Sequence, residues 1–287
     1  MSQAGLSVRP AAVAGMFYPG DQRELSQSLA RMLGAAANAG PERAVPKAII
    51  APHAGYVYSG PIAASVYALL APARGRITRV VLLGPTHRVA VRGLALPGVA
   101  AFATPLGTVE IDVPAVETLR QLPQVVVSPE AHALEHSLEV HVPFLQAILG
   151  TFTLVPLAVG HAGQREVAEV LDRLWGGPET LIVVSSDLSH YMSYGDAQAV
   201  DRATANAILD LATDISHEQA CGATPVTGLT LAARRHGLKP ELIDLRNSGD
   251  TAGDRNRVVG YGAFAFYEAG DSYPSGTSRA VIEKKGI

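Results

Sequence analysis

Three histidines in this chain lie just beyond runs of apolar residues that read as buried strands. Lys47–Ala51 leads through Pro52 to His53, Arg79–Gly84 leads through Pro85-Thr86 to His87, and Leu181–Ser186 leads through Asp187-Leu188-Ser189 to His190. Neutral imidazole is a ligand for zinc, iron and copper, and it also exchanges protons near neutral pH. In open α/β sheets, ligands collect outside the carboxyl ends of the strands, and neighbouring strands are only about 4.8 Å apart. Side chains distant in sequence can therefore share one ion. Two histidines and one anionic donor would leave positions open for a substrate or oxygen. The anionic candidates are Asp187, Glu135, Glu139 and the sole cysteine, Cys221. Cys221 precedes Gly222-Ala223-Thr224-Pro225, a helix start whose dipole would favour a thiolate, although a lone cysteine also serves as a small buried hydrophobe. Asp187 and His190 are three residues apart. In a helical turn both would face one way, and the carboxylate would orient the imidazole for acid–base work; otherwise Asp187 caps the next helix.

A competing pattern is His132-Ala133-Leu134-Glu135-His136, which reads H-x-x-E-H, the inverted zinc-protease order. On one helix, His132 and His136 would share a face and Glu135 would activate a zinc-bound water. Pro129-Glu130 places His132 at or before the helix start, so a polar helix face of Glu135, His136 and Glu139 pointing into or beside the strand-end cleft is the competing reading. His141, His161, His217 and His236 read as surface or helix-end residues. Tyr56, Tyr58, Tyr191 and Tyr194 flank the strand-end histidines and could line a pocket or pack at the core edge.

The elements that must position these groups alternate as in a βα repeat. A first helix begins at Asp21, with Glu24 completing a capping-box-like start and Leu25, Leu29 and Leu33 forming a stripe; it stops at Asn38-Ala39-Gly40-Pro41. A helix from Ser59 to Leu70 follows the first strand, with Pro61 in its first turn. Further strands are expected at 93–96, 108–111, 125–127 and 153–159, and helices at 113–122, 134–149 and 164–174. Helices follow from Asp196 to Leu211 and from Thr224 to the basic, glycine-terminated Arg234-Arg235-His236-Gly237. The closing strands are 241–245 and 258–267, the second apolar on both faces and so interior. The expected fold is a single α/β domain over residues 1–270, with a mainly parallel or mixed central sheet flanked by helices. Residues 271–287 read as a flexible tail.

Composition narrows the function. The 287 residues are 48% hydrophobic and 17% charged, so the chain can bury a core without staples. With 23 basic against 26 acidic residues and no basic stripe, a nucleic-acid partner is not expected. The lack of a long apolar run argues against a membrane role, and a single cysteine without a signal-like start suggests the cytoplasm.

Several motifs together resemble the Memo family, also called AmmeMemoRadiSam system protein B. They are RPAAVAGMFYPGD (Arg9–Asp21), PHAGYVYSGPIAASVY (Pro52–Tyr67), LLGPTH (Leu82–His87), EHSLEVHVPFLQ (Glu135–Gln146) and SSDLSHY (Ser185–Tyr191), within a resemblance spanning about residues 7 to 268. It implies a fold similar to the LigB-type class III extradiol dioxygenases, which use non-haem iron. It also implies a metal pocket of His53, His87 and Cys221 with Asp187 and His190 beside it as catalytic groups, and iron or copper as cofactor, with zinc as a further option. A thiol in place of the dioxygenase carboxylate weighs against carrying over ring cleavage. The expected activity is redox or oxygen-linked chemistry on an unidentified small molecule or peptide, with a functional link to AMMECR1-like and radical-SAM proteins. The alternative is a non-catalytic module that binds an anionic peptide or small molecule.

Overall fold

Strands form where β-branched and leucine runs can be covered on both faces, and in the computed structural model, which describes residues 7–37 and 44–269, those runs become the centre of a mixed sheet. In chain order the strands are β1 (Val8–Arg9), β2 (Ala48–Ala51), β3 (Arg79–Pro85), β4 (Leu94–Leu96), β5 (Ala101–Thr104), β6 (Gly107–Glu110), β7 (Val125–Val127), β8 (Thr153–Val159), β9 (Thr180–Ser185), β10 (His190–Met192), β11 (Lys239–Asn247) and β12 (Val258–Tyr267). The helices are α1 (Gln22–Ala37), α2 (Tyr56–Tyr67), α3 (Val113–Leu119), α4 (Pro129–Ala133), α5 (Val142–Leu149), α6 (Gln164–Arg173), α7 (Tyr194–Leu209) and α8 (Ala223–His236). The large sheet runs β10-β12-β2-β9-β3-β8-β4-β7, and β11 also pairs with β12. Strands β2, β9, β3 and β8 are parallel, whereas β12 is antiparallel to β2 and β4 antiparallel to β8. A separate three-stranded sheet, β1-β5-β6, carries the amino-terminal Arg9.

Register explains why the strand ends matter. Ala51 pairs with Ser185 and Leu83 with Val184, so β2, β9 and β3 finish side by side. Helix α8 packs against β3 and β9, and α2 against β2, β11 and β12; the side chains of β2 and β9 are buried along their whole length. Each fully buried aliphatic side chain here contributes roughly 1.5–3 kcal/mol. Interior β12 is buried at nearly every position, as its two apolar faces require.

Helix α1 starts as expected: the Asp21 carboxylate accepts from the backbone N–H groups of Arg23 and Glu24, and Leu25 and Leu29 are buried. Its stop signal at Asn38–Pro41 and the tail at 271–287 lie outside the described residues. The expected helix over 134–149 is not continuous. Helix α4 stops at Ala133, a turn follows, a short 3-10 turn spans Glu139–His141, and α5 begins at Val142 with Pro143 in its first turn. The Glu135 carboxylate accepts from the backbone N–H groups of His136 and Ser137 at 3.0 Å each, diverting both from a helical ladder. Strands β1, β5 and β10 were not expected; each has two to four residues, too short for an apolar period. Among the described residues, no helix is long and apolar enough to cross a membrane.

Candidate metal centre

The aligned ends of β2 and β9 bring their next residues together. His53 and Asp187 each lie two positions beyond the paired Ala51 and Ser185, and the His53 backbone N–H donates to Asp187 Oδ1 at 2.8 Å. His87, two positions beyond β3, puts its ring 5.1 Å from that of His53. The irregular segment after α4 adds a third imidazole, His136, whose ring centre is 4.6 Å from His87 and 5.3 Å from His53. Each of these three histidines offers a ring nitrogen lying within 4.8 Å of the others.

Cys221 stands beside this group rather than apart from it. Its Sγ is 3.4 Å from His53 Nε2, accepts from the Asp187 backbone N–H at 3.3 Å, and its own N–H donates to the Asp187 carbonyl at 3.2 Å. This docking depends on Gly222, where a Cβ would lie 2.6 Å from the Ser185 carbonyl oxygen. Gly84 makes a similar close approach: a Cβ there would meet Ser137 Oγ at 2.9 Å and the Ser185 Cβ at 3.1 Å. A side chain at either glycine would push apart the loops that carry the site.

Buried hydrogen bonds hold the imidazoles. His87 Nδ1 is 2.9 Å from Glu135 Oε1, and its backbone N–H donates to Oε2 at 2.6 Å. Burial alone would raise the Glu135 pKa, but the bonds from the His87 side chain and backbone and from the Ser137 N–H outweigh it and hold the carboxyl at about 2. His53 Nδ1 is 2.6 Å from Ser185 Oγ. Burial, reinforced by the other histidines, keeps His53 neutral by lowering its pKa well below the usual range, and burial lowers His136 to about 4. Neutral imidazoles are the form that ligates.

The two acid groups behave unlike the expectations. Burial, followed by the Asp187 charge, pushes the Cys221 thiol up to about 12, because its N–H contacts do not offset desolvation; the expected helix-start activation does not operate. Asp187 is raised by burial to about 7, the His53 N–H opposing the shift, and its Oδ2 lies 3.9 Å from His53 Nε2. Asp187 does not orient His190. Residues 186–189 are not helical, and His190 Nδ1 is bonded at 2.8 Å to the Leu188 carbonyl instead. Its neighbour Tyr191 has φ of 58°, a strained value for a side chain of that size, and lies 65% exposed under the Arg257 guanidinium.

The H-x-x-E-H pattern does not assemble as a zinc-protease helix. His132 lies in α4 with its Nε2 2.7 Å from the Ala95 carbonyl, while His136 lies beyond the helix end and joins the strand-end histidines. Glu139 is also buried, but it serves the amino-terminal segment: Arg9, Tyr18 and the N–H groups of Ala12 and Val13 all donate to it. Of the histidines read as surface or helix-end residues, His161, His217 and His236 are exposed, whereas His141 ends the 3-10 turn and is buried, with Nδ1 2.9 Å from the Tyr67 hydroxyl. In the sequence, His136 reads as part of the H-x-x-E-H pattern or of a polar helix face at the cleft, and not of the strand-end ligand set, because its segment looks like continuous helix. A signal was available in Glu135-His136-Ser137, three polar residues inside an apolar run.

The donor set suits a metal. Three imidazoles with a nearby thiol match the nitrogen and sulfur ligands of zinc, copper and iron. Fold and site together describe a mixed α/β protein with a histidine-rich centre at the carboxyl ends of parallel strands. The family model described as Memo-like protein matches residues 9–265. A MEMO1 family protein of Aquifex aeolicus is 37% identical over 269 residues, covering 89% of this chain and 98% of that relative. One from Methanopyrus kandleri is 36% identical over 286 residues, covering 90% and 98%. A solved structure of an uncharacterized protein from Escherichia coli K12 aligns with a TM-score of 0.44 at 12% identity, covering 75% of this chain and 98% of that one. The chain belongs to the Memo family.

Proposed function

We propose that the protein binds iron or copper at the strand-end centre and uses it for redox or oxygen-linked chemistry on a small organic substrate. The observation that carries this reading is the grouping of His53, His87 and His136, with ring nitrogens within 4.8 Å of one another and the Cys221 sulfur 3.4 Å from His53 Nε2. His53 and His87 would ligate, with Cys221 or His136 as the third donor. Once bound, such an ion supplies electron transfer or Lewis acidity.

The surrounding residues have defined tasks. Glu135 and Ser185 hold the His87 and His53 rings in place. Asp187, with a pKa of about 7, can hold or release a proton at Oδ2 beside the ligands near neutral pH. His190, tethered through Nδ1 to the Leu188 carbonyl, is the second proton-exchanging group.

Metal content by mass spectrometry on anaerobically purified protein tests the reading. The wild type should carry close to one equivalent, the His87→Ala, Cys221→Ala double variant almost none. Separate His136→Ala and Cys221→Ala variants identify the third donor by which loses metal. Equal metal in wild type and double variant rejects the centre.

A further inference from the structure

Every hydrogen bond between a histidine and a carbonyl or carboxylate oxygen fixes a proton, because the oxygen can only accept. Ser185 Oγ has one proton, and it lies 2.6 Å from the Ser137 carbonyl, which must receive it. The second contact of Ser185 Oγ, to His53 Nδ1 at 2.6 Å, therefore has the hydroxyl as acceptor. His53 carries its proton on Nδ1 and leaves Nε2 bare. Glu135 Oε1 receives the N–H groups of His136 and Ser137 and faces His87 Nδ1 at 2.9 Å. An oxygen surrounded by donors accepts from His87 as well, so His87 also carries its proton on Nδ1. His190, donating from Nδ1 to the Leu188 carbonyl, has the same form. His132 has the opposite one: its Nε2 donates to the Ala95 carbonyl, and it stands outside the cluster.

Both fixed protons at the cluster trace back to one tripeptide. Glu135 holds His87 directly, Ser137 orients the Ser185 hydroxyl through its carbonyl, and His136 is itself a member of the group. Ser137 is anchored in turn, its hydroxyl donating to the Pro85 carbonyl at 2.8 Å. We infer that Glu135-His136-Ser137 acts as a positioning device, fixing His53 and His87 in the Nδ1–H tautomer so that both present an unprotonated Nε2 to a shared point. Ser185 is its relay to His53, whose bare Nε2 lies 3.4 Å from the Cys221 sulfur. Outer partners of this kind set ligand orientation and basicity. The inference deepens the metal-binding reading, but the tautomers can be observed without metal.

The experiment is long-range nitrogen–proton NMR of the histidine side chains in metal-free protein, wild type against Ser185→Ala, followed by titration of each with zinc as a redox-silent probe. In the wild type, His53, His87 and His190 should show the Nδ1–H pattern and His132 the Nε2–H pattern. In Ser185→Ala, His53 alone should lose its single tautomer, with His87 and His190 unchanged as internal controls of folding. Zinc affinity should fall by about 10–100-fold. A wild-type His53 protonated on Nε2, or an unchanged His53 pattern in Ser185→Ala, overturns the inference. So does a changed pattern with unaltered zinc affinity. If the tautomers respond as stated while wild type binds no zinc, iron or copper, the tautomer lock stands and the metal-binding reading falls.

Discussion

Glu135 and Glu139 are four residues apart in one irregular segment, and both side chains are about 1% exposed, yet they do different work. Glu139 is closed. It binds the equally buried Arg9 guanidinium at 2.7 Å, the Tyr18 hydroxyl at 2.6 Å and two backbone N–H groups, all from residues 9–18. Charge is matched by charge, and the product is a docked amino-terminal segment. Glu135 has no cation among its hydrogen-bond partners. It collects the His87 side chain and backbone N–H groups from His87, His136 and Ser137, and its Oε1 lies 3.2 Å from His136 Nδ1. A buried carboxylate with an arginine stabilises a fold; one whose negative charge is held by N–H groups alone leaves that charge directed at two imidazoles, where a cation would complete it.

Replacing each glutamate should separate the two roles. Glu139→Gln leaves the Arg9 charge buried without its partner and should lower stability by about 3–5 kcal/mol in urea unfolding at neutral pH. Metal bound per folded molecule should not change. A loss under about 1 kcal/mol would mean that Arg9 finds other partners and that the segment is not clamped as described. Glu135→Gln keeps the shape and removes no cation's partner, so its stability loss should be smaller, about 1–3 kcal/mol. Its metal affinity should nevertheless fall by about 10–100-fold. If Glu139→Gln weakens metal binding as much as Glu135→Gln, the distinction between the two carboxylates fails.

Much of the centre could be read from sequence, for a physical reason. Short β-branched runs such as Leu181–Ser186 read as buried strand, and parallel pairing aligns their ends, which is why His53 and His87 come to lie near each other. What could not be read was the segment that organises them. Leu134, Leu138, Leu145 and Leu149 have helical spacing, but Glu135 turns back on its own following N–H groups, a local competition that apolar periodicity does not register. The same blind spot kept His136 out of the strand-end set and made an H-x-x-E-H helix look possible. The helix-start activation expected of Cys221 fails for a different reason: proximity to a helix start is visible in sequence, whereas the extent of burial that outweighs it is a tertiary property.

His132 sharpens the contrast from the other end of the same segment. It is buried and neutral, donating from Nε2 to the Ala95 carbonyl, and burial lowers its pKa to about 4. In the unfolded chain it would titrate near 6.5. Between about pH 4 and 6.5 the unfolded state therefore binds the extra proton, and the stability due to His132 is lost as pH falls through that window. His136 and His141 shift in the same direction, to about 4 and about 3, while Asp187 and Asp201, raised to about 7 and about 6, act oppositely. The wild-type curve alone would mix these contributions. His132→Gln retains an N–H for Ala95 and cannot titrate, so the difference between the two stability curves isolates one group. On lowering the pH from 6.5 to 4, that difference should move in favour of the variant by on the order of 1–3 kcal/mol. Parallel curves would show that His132 can take up a proton where it lies, and a group so loosely held could not be the fixed counter-example to His53 and His87.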